Sequence, residues 1–317
     1  MKRRILLGLV FVVIRISASA SELSLRMEND LLNDSDKFYT HGTRITYVSN
    51  PTKWADNIMD KLPFFNDNGV RSYGYTVGQN MYTPTNISMK IPDPDDRPYA
   101  GWLYGGVIFK TDHPDVVDFL EIDIGMIGPH SYAEQTQKFI HMITGSNAPQ
   151  GWDSQIGDEL GIVLLYKRKW KGDLFNNGLL EGQFNPYTGF SLGNVATYGQ
   201  LGYEFRFGYN LPKDVIGHSD ISQATIERGV GKKNFCFFVF SGMEARIVAR
   251  NIFLDGNTFK DSPSVCHEPM VGDWKTGISI GVGRFSLDYC HVIRTKEFET
   301  ETYNDFAYDS IGITWAF

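Results

Sequence analysis

The chain has 317 residues, 14% of them aromatic, with 37 acidic against 30 basic side chains. That balance argues against a nucleic-acid partner, which needs clustered Lys and Arg to neutralise phosphates. The three cysteines, Cys236, Cys266 and Cys290, allow at most one disulfide and have no metal-type spacing.

At the amino end, Lys2-Arg3-Arg4, the apolar run Ile5 to Ile14 cut short by Arg15, and Ala18-Ser19-Ala20 read as an export signal over residues 1–20. Its removal would leave 26 basic against 37 acidic side chains, a charge of about −11, and one domain over 21–317. Beyond residue 20, no run approaches the roughly 18 apolar residues of a membrane-spanning helix.

Period-2 alternation then recurs along the chain in segments of about ten residues. Leu23, Leu25 and Met27 alternate with Ser24, Arg26 and Glu28, and similar runs follow near 42–49, 73–82 and 100–110. Leu120, Ile122, Ile124 and Met126 alternate with Glu121, Asp123 and Gly125. The stretch Gly128 to Gly145 breaks this pattern and predicts a helix near 131–144. Ser131 and Glu134 have capping-box spacing, and Gly145 stands where a left-handed residue would close the helix. Gln137 and His141 share one face, while Phe139, Ile140, Met142 and Ile143 occupy the other and are expected to pack on the β scaffold or its lipid boundary.

Alternation resumes over 158–168 and 183–193. It continues through Tyr203, Phe205, Phe207 and Tyr209, which flank Glu204, Arg206 and Gly208, and through 235–243 and 244–250. Ile278, Ile280 and Val282, then 284–292, complete the series before the chain ends on Ile311, Ile313, Trp315 and Phe317. Turn chemistry marks Asn33–Asp36, Asp67–Gly69, Pro92–Asp96, Asn176–Gly178 and 213–233 as loops. About twelve strands, an apolar face carrying many aromatics and a terminal Phe predict an all-β fold: a transmembrane antiparallel β-barrel in an outer membrane. Glu121, Asp123, Glu204 and Arg206 would point inward.

Chemistry-bearing residues are concentrated between Glu28 and Gln155. Glu28-Asn29-Asp30 ends the first strand, and Phe38-Tyr39-Thr40-His41-Gly42 opens the second. Asp96-Arg97-Pro98-Tyr99-Ala100-Gly101-Trp102, Asp123-Ile-Gly-Met-Ile-Gly-Pro129, Gln137-x-x-x-His141 and Gly151-Trp-Asp-Ser-Gln155 follow. In this order and spacing they resemble the lipid A 3′-O-deacylase family of outer-membrane barrels, over most of the chain after residue 20.

The resemblance implies hydrolysis of the ester that holds an acyloxyacyl chain on the lipid A of lipopolysaccharide, with calcium as cofactor. It implies His141 as the base that activates water and Gln137 as its polar neighbour. Asn29 and Asp30 match the N-terminal pair, with Asp30 the cation ligand, and Thr40 matches the hydroxyl of the Tyr-Thr segment. Lys90 is a candidate contact to a lipid A phosphate. The family pattern has a basic pair where this chain has Met89-Lys90, and an acidic residue near Asn147. His41 and His130 are expected as rim or loop side chains, and Arg97 as a loop anchor.

Ester hydrolysis needs a base that is neutral near pH 7 and a positive partner for the developing oxyanion. Imidazole and a hard cation on oxygen ligands supply these. Two other readings share the barrel. An outer-membrane phospholipase would use an activated serine, such as Ser131 or Ser154; a pore or adhesin would use no chemistry. The outer surface would look alike in a monomer and a weak dimer.

Overall fold

The computed structural model of the chain describes residues 22–30, 38–50, 52–63, 65, 69–212 and 234–317. The expected export signal and the loops at 33–36 and 213–233 lie outside the described residues.

Twelve antiparallel strands close into a barrel, and a short thirteenth lies against its wall. They are β1 (Glu22–Asn29), β2 (Phe38–Ser49), β3 (Val70–Thr83), β4 (Ala100–Asp112), β5 (Val116–Ile127), β6 (Glu159–Trp170), β7 (Asp173–Asn176), β8 (Glu181–Gly193), β9 (Ala196–Tyr209), β10 (Phe235–Asn251), β11 (Met270–Val282), β12 (Phe285–Thr295) and β13 (Asp305–Ala316). Each barrel strand pairs with its neighbour in sequence. β13 returns to β1, and β6 pairs with β8 past the four-residue β7, so every barrel strand has a partner on both sides. A closed sheet is what a bilayer demands, since an unpaired edge would leave backbone groups in hydrocarbon. The two alternating runs expected at 235–243 and 244–250 form one 17-residue strand. Ser241 and Gly242 pair on both sides, with Thr276 and Lys275 and with Phe205 and Glu204.

Side-chain alternation gives the wall two faces. Leu25, Met27, Ile45, Val77, Ile124, Ile162, Phe207, Ile278, Leu287 and Ile313 point outward and are exposed, forming an apolar belt. The inward face is charged and buried. Arg44 meets Glu121 at 2.8 Å, Lys169 and Arg206 meet Glu204 at 3.0 and 2.6 Å, and Arg246 and Arg294 both reach Asp273 at 2.9 Å. Toward one end, aromatic side chains close the lumen. Trp102 stacks on Tyr104 at 4.1 Å between ring centres, and Phe253 stacks on Tyr82 at 4.3 Å. Phe253 belongs to α3 (Ile252–Asp255), a single turn with three fully buried side chains, Ile252, Phe253 and Leu254. The interior is packed, as expected for a core rather than a conduit.

That same end, the upper rim, carries the loops 84–99, 128–158, 256–269 and 296–304. Glu22, Ala316 and a short helix α1 (Lys53–Met59) lie at the opposite, lower end. Cys236 and Cys290 are buried free thiols and Cys266 is exposed, so no disulfide joins them.

Candidate active site on the outer wall

The expected helix forms as α2 (Ala133–Thr144), two residues later than its sequence signal. Pro129–Ser131 first makes a 3₁₀ turn, and Tyr132 takes a left-handed φ of 58° as the residue before α2. The Ser131–Glu134 capping box therefore does not form; the Ser131 hydroxyl accepts from the Ala133 N–H at 3.4 Å instead. Gly145 closes the helix at φ 77°, as its position suggested.

α2 docks on the outside of the barrel. Gln79 has the outward parity of Val77, and its amide donates to the Ser131 carbonyl at 2.6 Å. Gly101, outward on β4, is the cradle: a Cβ there would lie 2.2 Å from the Ser131 hydroxyl and 2.3 Å from the Ala133 methyl. Ala133 packs with Met81, Ile87, Tyr99 and Trp152. Gln137 and His141 are both buried on the wall-facing side. The face opposite carries Phe139, Met142 and Ile143, 56, 71 and 66% exposed, so these apolar residues do not pack on the barrel. The helix is inside-out relative to one that packs on a soluble core, with its polar pair buried and its apolar stripe outward.

The polar pair is firmly oriented. The Trp152 indole donates to Gln137 Oε1 at 2.7 Å, which fixes the accepting end of that amide. His141 Nδ1 is 2.5 Å from the backbone carbonyl of Asn147. A carbonyl can only accept, so Nδ1 carries the proton and Nε2 is the basic nitrogen of the neutral ring. Asn147, where the family pattern has an acidic residue, meets His141 through its main chain.

Beside α2, the wall supplies the second half of the site. Register pairing makes one outward row of His41 opposite Met81 and Asn29 opposite His41, above Met27 on β1 and above Thr43 and the apolar Ile45 on β2. Asn29 Nδ2 donates to the Thr40 carbonyl at 2.8 Å and lies 3.4 Å from His41 Nδ1. Thr40 is the extra residue of a β-bulge between Tyr39 and His41, and its hydroxyl meets that of Thr83 at 2.6 Å. Asp30 is buried at the end of β1. His41, expected as a rim side chain, is instead 5% exposed in this wall with Nε2 on the Thr43 hydroxyl at 2.7 Å. The parity of β2 carried that signal, because His41, Thr43 and Ile45 must share a face.

Other expected residues fall elsewhere. Lys90 is exposed on the 84–99 loop and has no hydrogen-bond or ion-pair partner among the described residues. His130 is exposed and paired with Asp158 at 2.6 Å. Arg97 is fully buried, bound to Glu297 at 3.1 Å and lying 4.8 Å over the Tyr82 ring, a loop anchor as expected.

Among the described residues no group of three or more His, Cys, Asp or Glu converges as a metal cluster. A carboxylate such as that of Asp30 offers oxygen ligands, which suit a hard cation such as calcium rather than a thiophilic one.

The strand that bears Thr40 and His41 is pinned from above. Phe38 holds a left-handed φ of 67° and is packed by Phe298 and Phe306, with ring centres 5.9 and 5.3 Å away. In the same 296–304 loop, Glu301 accepts from the Glu297 N–H at 2.7 Å, and burial, reinforced by the Glu297 carboxylate, pushes its pKa up to about 7. An opened loop would return Glu301 to about 4.3. Between those values the open form sheds a proton that the closed form keeps, so closure weakens as pH rises and its cost is complete above about 7. Amide exchange in 296–304, corrected for its intrinsic pH dependence, is expected to be faster at pH 8 than at pH 6, and Glu301→Gln to remove the difference. An unchanged difference in that variant would assign it to another group.

Comparison with known proteins agrees with this architecture. A family model described as "Outer membrane protein LpxR" matches residues 5–317. The solved structure of LpxR from Salmonella typhimurium superposes with a TM-score of 0.78 at 21% identity, covering 93% of this chain and all of that one. The β domain of the Bordetella autotransporter BrkA reaches a TM-score of 0.42 at 8% identity, covering 94% and 98%. No curated protein sequence matches.

Proposed function

The chain belongs to the LpxR family of outer membrane proteins, and on that premise we propose that it is a lipid A deacylase that removes the 3′-linked acyloxyacyl chain by hydrolysis. The observation that carries this reading is the side of the wall on which the site is built. Asn29 and His41 stand on the outward face, and α2, with its Gln137–His141 face buried, docks on that same side of the wall at Gln79 and Gly101. An ester of a lipid anchored in the surrounding leaflet reaches that position laterally, without leaving the membrane. The outward apolar stripe of α2 borders the same route.

In this reading His141 Nε2 takes a proton from water as it attacks the ester carbonyl, while Nδ1 stays locked on Asn147. Gln137, held by Trp152, orients the water or the carbonyl. Asn29 bridges β1 and the Thr40 bulge, so Asp30 is presented on a fixed strand end. A calcium ion held by Asp30 would polarise the carbonyl oxygen and offset the charge that develops on it. Lys90, exposed near the site, is available to a lipid A phosphate.

The alternatives gain no specific support. The Ser131 hydroxyl is buried and bonded to Ala133, and the lumen is packed with ion pairs and aromatic rings. The proposal is tested with purified protein in mixed micelles of lipid A. Chelation of divalent cations is expected to lower the rate by about 10² to 10³, the usual cost of losing an oxyanion partner, and added calcium to restore it. Full turnover in chelator would remove the cation from the mechanism.

A further inference from the structure

The polar row that contains the site does not stop at β1. Asn29 is paired across the β1–β13 ladder with Asp309, and Asp309 across the next ladder with His291. Both keep outward parity, since Ile311, Ile313 and Trp315 on β13 and Phe285 and Leu287 on β12 are exposed outward residues of the belt. The groups are connected: His291 Nδ1 lies 2.9 Å from Asp309 Oδ1, and the Tyr289 hydroxyl donates to the same oxygen at 2.6 Å. Asp309 is 5% exposed, whereas the His291 side chain is 31% exposed.

A His–Asp pair on the lipid face of a barrel wall carries a desolvation cost that an apolar pair would avoid. A carboxylate can only accept, so Nδ1–H of His291 donates to Asp309 and the ring's other edge, Nε2, projects from the wall. Nε2 has no hydrogen bond among the described residues. The remaining outward neighbours of His291 are Thr276, Ile293 and Tyr289, none of them a cation. His291 stands one strand beyond the Asn29–Asp309 pair in the same row.

We propose that His291, held by Asp309 and Tyr289, is a headgroup subsite that takes a phosphate monoester of the glycolipid whose ester lies at His141. With Nδ1–H on Asp309, the protonated ring donates from Nε2–H a charge-assisted hydrogen bond to phosphate oxygen. This deepens the deacylase reading and rests on it for the identity of the lipid, but not for the existence of the subsite.

The test is therefore a binding measurement that needs no turnover. The His141→Ala protein, folded in detergent micelles, is titrated with lipid A and with lipid A freed of its phosphates. With His291 present, the phosphorylated lipid is expected to bind about tenfold tighter, the worth of one charge-assisted hydrogen bond. In His291→Ala that preference should collapse towards one, and in His291→Lys it should persist. Equal affinity for the two lipids when His291 is present would overturn the proposal. So would a preference that survives His291→Ala, or a His291→Ala change that weakens both lipids alike. If the wild-type protein leaves lipid A ester-intact yet the preference behaves as described, the deacylase reading fails while the subsite stands.

Discussion

Replacing His141 with Ala is expected to lower lipid A deacylation by 10² to 10⁴, the contribution of one positioned base, with little change in barrel stability. In the proposed mechanism the ring would act through a geometry that the fold provides in two steps. α2 turns its buried face to the outer wall because Gly101 lets Ser131 and Ala133 approach β4 closely. The chain then reverses at Gly145, and the Asn147 carbonyl accepts a hydrogen bond from Nδ1–H. Because this partner is main chain, Asn147→Ala is expected to keep the rate within a few-fold of wild type, which separates backbone orientation of the base from any role of that side chain. Rates in purified micellar assays, with the gel mobility shift of the heated barrel as a control for folding, distinguish the two variants. A His141→Ala protein with wild-type turnover would assign the base elsewhere, with His41 the next imidazole in the wall.

The second large effect concerns the lumen. Asp273, with no exposed side-chain surface, accepts from Arg246 Nη2 at 3.0 and 2.9 Å and from Arg294 Nε and Nη2 at 2.8 and 2.9 Å. Arg246 reaches Glu244 only at 3.7 Å, and Arg294 reaches Glu297 at 3.4 Å, so neither acid replaces what Asp273 provides. Asp273→Ala would leave two buried guanidiniums short of a counter-charge, and removing one partner of a buried pair costs about 3 to 5 kcal/mol. Denaturant unfolding of the reconstituted barrel should report that loss, with Asp273→Asn intermediate because it keeps an accepting oxygen. Equal midpoints for wild type and Asp273→Ala would mean that water already reaches the pair, and would reopen the reading of the barrel as a conduit.

The sequence made the wall legible because a lipid-spanning strand must alternate, and a two-residue period survives reading one chain alone. It failed where local chemistry imitates something else. The segments 235–243 and 244–250 read as two alternating runs, but the ladders on both sides hold them as the single strand β10. Ser131 and Glu134 have the spacing of a capping box, but Pro129 and left-handed Tyr132 occupy the turn it would need. The four-spacing of Gln137 and His141 correctly put them on one face. What spacing alone could not decide is which face meets protein, and in α2 it is the polar one.

The site was half legible. Asn29, Asp30, Thr40, Gln137 and His141 stand out as motif residues, yet the outward placement of Asn29 follows only from register. The same register links His41, Asp309 and His291 into the row, although 250 residues separate His41 from His291. No short-range pattern announces such a row. It exists because β13 returns to β1 and closes the barrel.

The most direct measurement is mass spectrometry of lipid A from a Gram-negative host that lacks this activity, expressing either the wild-type chain or His141→Ala. The account predicts lipid A lacking the 3′-acyloxyacyl group with the wild-type chain and intact lipid A with the variant, at equal levels of folded barrel. Intact lipid A in both, with purified wild-type protein also inactive in calcium, would contradict it.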